Sequence, residues 1–269
     1  MNRIKLDYLS VARVSGNDAG SFLQAQFTAD LTRLSDGDAC FSGFCLPNGT
    51  VMAVILVIRI KYEYRLIAAK PLMEGLLNRL RLFVLRAEAQ IDLMNLAVFG
   101  CPEEENSCFA PTSGALRYDI AESFEDETTS LASLSQWRAN ELREGVAWLD
   151  SDTSNQFIPQ MLGLERLNAL SFRKGCFPGQ EVIARVRYLG KLKRRPVTIE
   201  IDSLADLEPG SGVELIDDAE NKHSAVVVDL QTDANTTVVF LVARIPEGAE
   251  VSSIEWGDQV ANLNKPAQA

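Results

Sequence analysis

Along the first half of the chain, apolar positions switch between a spacing of two and a spacing near 3.6, the signatures of strand and helix. "VARVSGNDAGSFLQAQFTADL" reads as a strand, a turn at Gly16 and a helix capped by Asn17 or Asp18. Phe22, Leu23, Gln26 and Phe27 recur at helical spacing, which places both phenylalanines in a core. "CFSGFCLPNGTVMAVILVIRI" predicts a strand, a turn at Pro47-Asn48-Gly49 and a second strand. Two strands, 51–60 and 62–69, lead into a helix over "PLMEGLLNRLRLFVL", with Pro71 in a favoured first-turn position. "EAQIDLMNLAVFGC" returns as one or two strands, and "LASLSQWRANELREG" predicts another helix. Units of this kind form antiparallel sheets with helices on one face. From Arg195 onward short β-rich runs alternate with Gly, Asp, Asn and Pro turns, the spacing of a small antiparallel barrel or sandwich. The acidic stretches "PEEEN" (102–106) and "AESFEDETTS" (121–130) read as a solvated loop and a connector.

At 269 residues the chain holds one large domain or two to three small ones. Its 46% hydrophobic and 23% charged content is that of a globular protein. A net charge of −11 argues against non-specific binding to nucleic acid or a membrane surface. The start, "MNRIKLDYLSVARV", lacks the apolar stretch of a secretory signal, and the longest apolar run, 51–58, is far short of the ~20 residues that span a bilayer. Five cysteines at irregular spacings, with no CxxC pair, suggest neither a disulfide framework nor a zinc ribbon. The expectation is a reducing, cytoplasmic setting with no resident metal or cluster, and with Cys40 and Cys45 as buried structural thiols. The single histidine, His223, falls in what reads as a solvated hairpin loop. A catalytic triad, a Cys-His dyad or a multi-histidine metal site would each have to use it, so conventional hydrolase chemistry is disfavoured.

Residues 171–185, "SFRKGCFPGQEVIAR", carry the densest candidate chemistry. Gly175 and Gly179 admit backbone geometry closed to other residues, Pro178 sets φ near the helical value, and Gln180-Glu181-Val182-Ile183 begins a helix. Cys176 then precedes a helix N-terminus, where the dipole, Arg173 and Lys174 favour a thiolate. The other reading is a tight junction whose cysteine merely fits the space. Arg185, Arg187, Lys191, Lys193, Arg194 and Arg195 make a dense basic run within 185–195 of an acidic protein. It reads as a solvated strand and loop or as a holder of anionic groups.

"KGCFPGQE" resembles the Lys-Gly-Cys-Tyr/Phe-x-Gly-Gln-Glu motif of the YgfZ-type folate-binding proteins, relatives of the glycine-cleavage aminomethyltransferase (T-protein). "VSGNDAGSFLQAQFTADL" and the run through Phe157-Ile158-Pro159-Gln160 are similar to other parts of that family, in the same order. The resemblance spans most of residues 8–195. It implies an α+β, GcvT-like ring of three units around a central cavity. One unit is discontinuous (1–47 and 115–190), the second is 48–114, and 191–269 forms a C-terminal antiparallel β-barrel.

The function implied is binding of tetrahydrofolate, with a single or polyglutamyl tail, in support of iron–sulfur cluster assembly or repair in client enzymes. Cys176 and Lys174 are then the functional pair, and Gly175, Gly179, Gln180, Glu181, Gln160 and Arg187 the folate-binding residues. Glu181 or Glu165 is a candidate for the pterin's aminopyrimidine edge; the other reading of Glu181 is that it serves its helix's first turn. Two positions depart from the pattern. Gly163 stands where the family often has asparagine, and Ala53 and Val54 stand where the transferases resemble an acidic pair. An apolar pair cannot accept a proton, which disfavours methylene transfer. Two other functions stay open: an aminomethyltransferase or other one-carbon enzyme, and a non-enzymatic module binding an anionic partner such as tRNA through 185–195. A monomer is expected.

Overall fold

The computed structural model describes residues 3–102, 108–111, 116–122, 130–202 and 206–268, without the side chains of 265–268. The acidic stretches at 103–106 and 123–129 lie outside them. Strand β1 spans Ile4–Lys5 and β2 Leu9–Ser15; helix α1 follows at Ala19–Gln26. Strands β3 (Ala39–Cys45), β4 (Val51–Ile60) and β5 (Glu63–Ala69) lead to α2 (Lys70–Arg81), then β6 (Gln90–Met94), β7 (Ala97–Gly100) and β8 (Tyr118–Ala121). Strands β2 to β6 build one antiparallel sheet in the order β3-β4-β5-β2-β6, and β1, β7 and β8 a smaller one in the order β1-β7-β8. Helix α2 buries Leu72, Met73, Leu76, Leu77 and Leu80, the stripe its periodicity predicts, against β2, β4 and β5. Phe22 and Phe27 are core residues.

The larger sheet crosses the boundary expected at 47/48. The hairpin pairs Phe41 with Leu56 and Gly43 with Val54, so strands from both sides of that boundary share one hydrogen-bonded layer. Physically, a tight turn at 47–49 leaves the two arms no alternative to pairing with each other. The C-terminal part is a closed antiparallel barrel of β9 (Arg195–Asp202), β10 (Gly212–Asp217), β11 (Lys222–Asp233), β12 (Thr236–Ala243), β13 (Glu250–Trp256) and β14 (Gln259–Gln268), ordered β10-β11-β12-β9-β14-β13. Closure removes the exposed edges an open sheet would carry. Its interior is filled by Val197, Ile199, Leu215, Val227, Leu241 and Ile254.

Helix α3 (Leu131–Arg143) joins the two cores, because Val228, Val238, Phe240 and Val242 on the outer barrel surface pack into the same cluster as α3. Arg138 Nη2 donates to Asp229 Oδ1 of β11 at 2.8 Å. Glu141, 1% exposed, accepts from Tyr8 Oη at 2.6 Å, Tyr118 Oη at 2.7 Å and Trp148 Nε1 at 3.1 Å. A buried carboxylate with three donors satisfies the requirement that interior charge be hydrogen-bonded. Contrary to the expectation of unpaired thiols, Cys101 and Cys108 form a disulfide. Seven residues apart on a segment leaving β7, they meet because the chain turns back to pair Phe109 with Tyr118 of β8.

Candidate functional site

The segment 171–179 is anchored by backbone groups far away in sequence. Ser171 N donates to Thr28 O at 2.9 Å. Lys174 Nζ donates to Phe27 O at 2.5 Å and to Ala29 O at 2.8 Å, and lies 5.5 Å from the centre of the buried Phe177 ring. Burial lowers the Lys174 ammonium to about 8, opposed by Asp30 and Cys40. Burial pushes the Cys40 thiol up to about 12 against the pull of Lys174, and Cys45 up to about 12 by burial alone. Lys174 Nζ donates to two carbonyls, and no hydrogen bond joins it to Cys176 among the described residues.

Helix α4 (Gln180–Leu189) begins as predicted, with Gly179 as its N-cap. Gly179 sits at φ +78°, and a Cβ there would lie 2.5 Å from Leu46 O and 2.6 Å from Gly49 Cα. Only glycine allows the 47–49 turn to lie this close to the helix start. Glu181 occupies the first turn, exposed, where its charge complements the dipole. Cys176 is exposed in the loop before the helix, with Gly175 beside it facing open space.

A cleft of about 1040 Å³ lies between α4 and one mouth of the barrel, lined in part by Gln160, Glu165, Arg187, Lys191, His223 and Arg244. Gln160 is 4% exposed; its Nε2 donates to Ile183 O at 2.8 Å, while its Oε1 is buried with no partner. Arg187 Nη1 pairs with Glu165 Oε1 at 3.0 Å, and its guanidinium stacks 5.6 Å from the centre of the Phe172 ring. Arg195 pairs with Glu247 at 3.1 Å. Lys191, Lys193 and Arg244 also line the cleft and carry no ion pair among the described residues.

The predicted site is thus divided. Gln160 and Arg187 line the cleft; Lys174, Gly175, Cys176, Gly179, Gln180 and Glu181 do not, and form the loop and first turn that hold α4 in place. The basic run spans the end of α4, a loop and the start of β9: Arg185 and Arg187 belong to α4, and Arg195 opens β9. His223 was expected in a solvated loop. It belongs instead to β11, with its side chain only 13% exposed and Nε2 2.9 Å from Asp217 Oδ2. The signal in the sequence was the Asp- and Asn-rich turn before it, which fixes that carboxylate. Among the described residues no group of three or more His, Cys, Asp or Glu is placed to hold a metal ion. No described helix is long and apolar enough to cross a membrane.

No protein-family model matches the chain. An uncharacterized protein of Haemophilus influenzae is 29% identical over 219 residues, covering 79% of this chain and 78% of the relative. The tRNA-modifying protein YgfZ of Klebsiella pneumoniae is 28% identical over 274 residues, covering 88% and 83%. Over most of its length the chain is similar to the YgfZ proteins. Among solved structures, aminomethyltransferase T of the glycine cleavage system from Bartonella henselae superposes with a TM-score of 0.73 at 16% identity, over 99% of this chain and 84% of that one. The fold is therefore α+β and GcvT-like, with its closed C-terminal barrel. Ala53 and Val54 of β4 are 0% and 3% exposed, sealed in the sheet's core. Gly163 sits at φ +70°, a left-handed position that asparagine also tolerates. The YgfZ-like motif is thus a clamp as well as a carrier of one exposed thiol.

Proposed function

We propose that this YgfZ-like protein binds tetrahydrofolate in the cleft at the barrel mouth and uses Cys176 to support tRNA-modifying and iron–sulfur client enzymes. The observation that carries the folate reading is Gln160: a side chain nine-tenths buried, lining the cleft, whose Oε1 has no partner. A buried acceptor without a donor costs about 1–3 kcal/mol, which a ligand N–H would recover once the side chain turns Oε1 toward the cleft. The pterin's amino-pyrimidine edge offers such donors. The cations Lys191, Lys193 and Arg244 suit the anionic glutamate end, so the residues present fit the group. When bound, tetrahydrofolate supplies a one-carbon carrier. The chain's own residues supply orientation through Gln160 and charge neutralisation through the lysines.

An aminomethyltransferase reading is disfavoured because Ala53 and Val54 are buried and apolar. Cys176 stands outside the cleft lining, on an exposed loop. That position suits contact with a client protein better than contact with the folate. The test is calorimetric titration of tetrahydrofolate under anaerobic conditions, with complementation of a strain lacking its own YgfZ. Wild type and Cys176→Ala bind alike, and only wild type complements. Absence of binding at millimolar ligand overturns the folate reading; full complementation by Cys176→Ala overturns the role of the thiol.

A further inference from the structure

We propose that the open edge of β6, with the apolar segment that leads into it, docks an extended acidic strand of a partner protein. Strand β6 ends one side of the five-stranded sheet and pairs only with β2 among the described residues. The register fixes which of its backbone groups point outward. Lys70 N donates to Tyr8 O at 2.8 Å, one step beyond the Leu9–Ala69 pair, so Tyr8 and the even-numbered residues of β2 bond toward β5. The odd-numbered ones, Val11, Arg13 and Ser15, then bond Met94, Asp92 and Gln90 of β6. Ile91 and Leu93 therefore direct their N–H and C=O groups away from the sheet. Arg81 Nη2 reaches Ile91 O from outside at 3.0 Å, while Ile91 N, Leu93 N and Leu93 O have no partner among the described residues.

The surroundings of that edge select the occupant. The chain between α2 and β6 exposes Leu82, Phe83 and Leu85, the last at 85%, and Leu93 on β6 itself is 59% exposed. Single exposed leucines are ordinary, but a group of large apolar side chains on one short segment marks a contact surface. Arg79, Arg81 and Arg86 lie in the same stretch and make no ion pair among the described residues; the bonds of Arg81 go to Asn78 Oδ1 and Ile91 O. The nearest carboxylates in sequence are engaged elsewhere, Asp92 with Arg13 at 2.9 Å and Glu88 with Asn17 Nδ2 at 2.7 Å. A second copy of this surface would bring arginines against arginines. A bilayer would cover the leucines but offers no row of donors and acceptors matched to a strand edge. An added strand satisfies the free N–H and C=O groups, lays alternate apolar side chains along Leu93 and sets carboxylates beside Arg81 and Arg86. None of these residues lines the barrel-mouth cleft, so the surface is separate from the proposed ligand site.

The experiment titrates the full chain into a labelled heptapeptide of alternating valine and glutamate, read by fluorescence anisotropy, with amide hydrogen exchange as the second readout. The peptide binds wild type, and exchange at the Ile91 and Leu93 amides slows about tenfold or more at saturation. Leu93→Pro removes one outward N–H without costing β2 a hydrogen bond, so it melts close to wild type and binds about tenfold more weakly. Arg86→Gln, on the exposed segment before the strand, weakens binding about threefold, and a peptide of alternating valine and lysine does not bind. Equal affinity of Leu93→Pro and wild type overturns the proposal, as does absence of binding at millimolar peptide. If the proline variant unfolds, Arg86→Gln decides, and an unchanged affinity there, or equal binding of the lysine peptide, overturns the charge match. Binding to phosphatidylglycerol vesicles but to neither peptide makes this a membrane face and overturns the strand. A concentration-dependent dimer in sedimentation that Arg86→Gln strengthens gives the edge to a second copy and overturns the partner.

Discussion

Removing the Lys174 ammonium tests whether this lysine pins the motif loop or serves the neighbouring thiol. In Lys174→Met the aliphatic stem remains, but Phe27 O and Ala29 O lose donors at 2.5 and 2.8 Å. Stranding a buried carbonyl costs about 1–3 kcal/mol. Because the lysine is only half-buried, water recovers part of that, and about 1 kcal/mol for each carbonyl, about 2 in all, is a fair figure. For a chain of 269 residues this lowers Tm by roughly 4 °C, read by circular dichroism. The pH dependence carries a sign. The folded ammonium titrates at about 8 and the unfolded one near 10.5, so the unfolded state holds more protons between those values. Wild-type stability therefore rises with pH through that window relative to Lys174→Met, and the gap in Tm between them widens from pH 7.5 to 9.5. Lys174→Arg keeps donors to both carbonyls and recovers part of the loss. Melts within 0.5 °C of wild type for Lys174→Met, with a flat pH difference, refute the pinning role.

Other perturbations follow from the same geometry. Gly179→Ala places a Cβ 2.5 Å from Leu46 O at φ +78°, so it destabilises by about 3 kcal/mol or more in a denaturant melt, where an ordinary surface alanine would change nothing. Glu141→Leu strands Tyr8, Tyr118 and Trp148 and loses about 3–5 kcal/mol, whereas Glu141→Gln retains an acceptor and stays within about 1 kcal/mol. Burial raises the Glu141 carboxyl above its ordinary 4.5, so the folded state holds the proton longer and stability falls as pH rises above 4.5; Glu141→Gln removes that slope in a pH series of melts. Alkylation followed by mass spectrometry labels Cys176 in the native protein, while Cys40 and Cys45, whose thiols burial holds at about 12, react only after unfolding.

Local elements were legible because their signals are local. The Pro47-Asn48-Gly49 turn between alternating arms gives the β3–β4 hairpin, Pro71 and a stripe of four leucines and a methionine give α2, and regular turns after Arg195 give the barrel. Cys176 before a helix start was equally readable, because Gly179 and the helix pattern adjoin it. What escaped is what depends on distant backbone. Lys174 sits beside Cys176 in sequence, yet its ammonium answers to carbonyls at Phe27 and Ala29, around 145 positions away. The cleft is assembled from Gln160 and Glu165, the end of α4, and three separate barrel strands or their ends, and no window of sequence contains it. His223 looked like a loop residue because its pattern is polar. The strand register opposite Leu215 and the carboxylate six residues earlier give it a fixed place.

The charge distribution decides between occupants of the cleft. The chain carries −11 overall, yet Lys191, Lys193 and Arg244 face one hollow without an ion pair among the described residues. At physiological salt, charges on the surface are screened beyond about 8 Å. A small anion seated in the cleft therefore feels chiefly these cations and little of the acidic remainder. An RNA helix is different: its phosphates continue well past any one cleft, and those beyond it would meet a surface of net negative charge. Its binding would need a basic track, whereas the basic run from Arg185 to Arg195 turns at the end of α4 and enters the barrel. The cations are concentrated in one hollow at the barrel mouth, and that confinement suits a short anion better than a nucleic-acid helix.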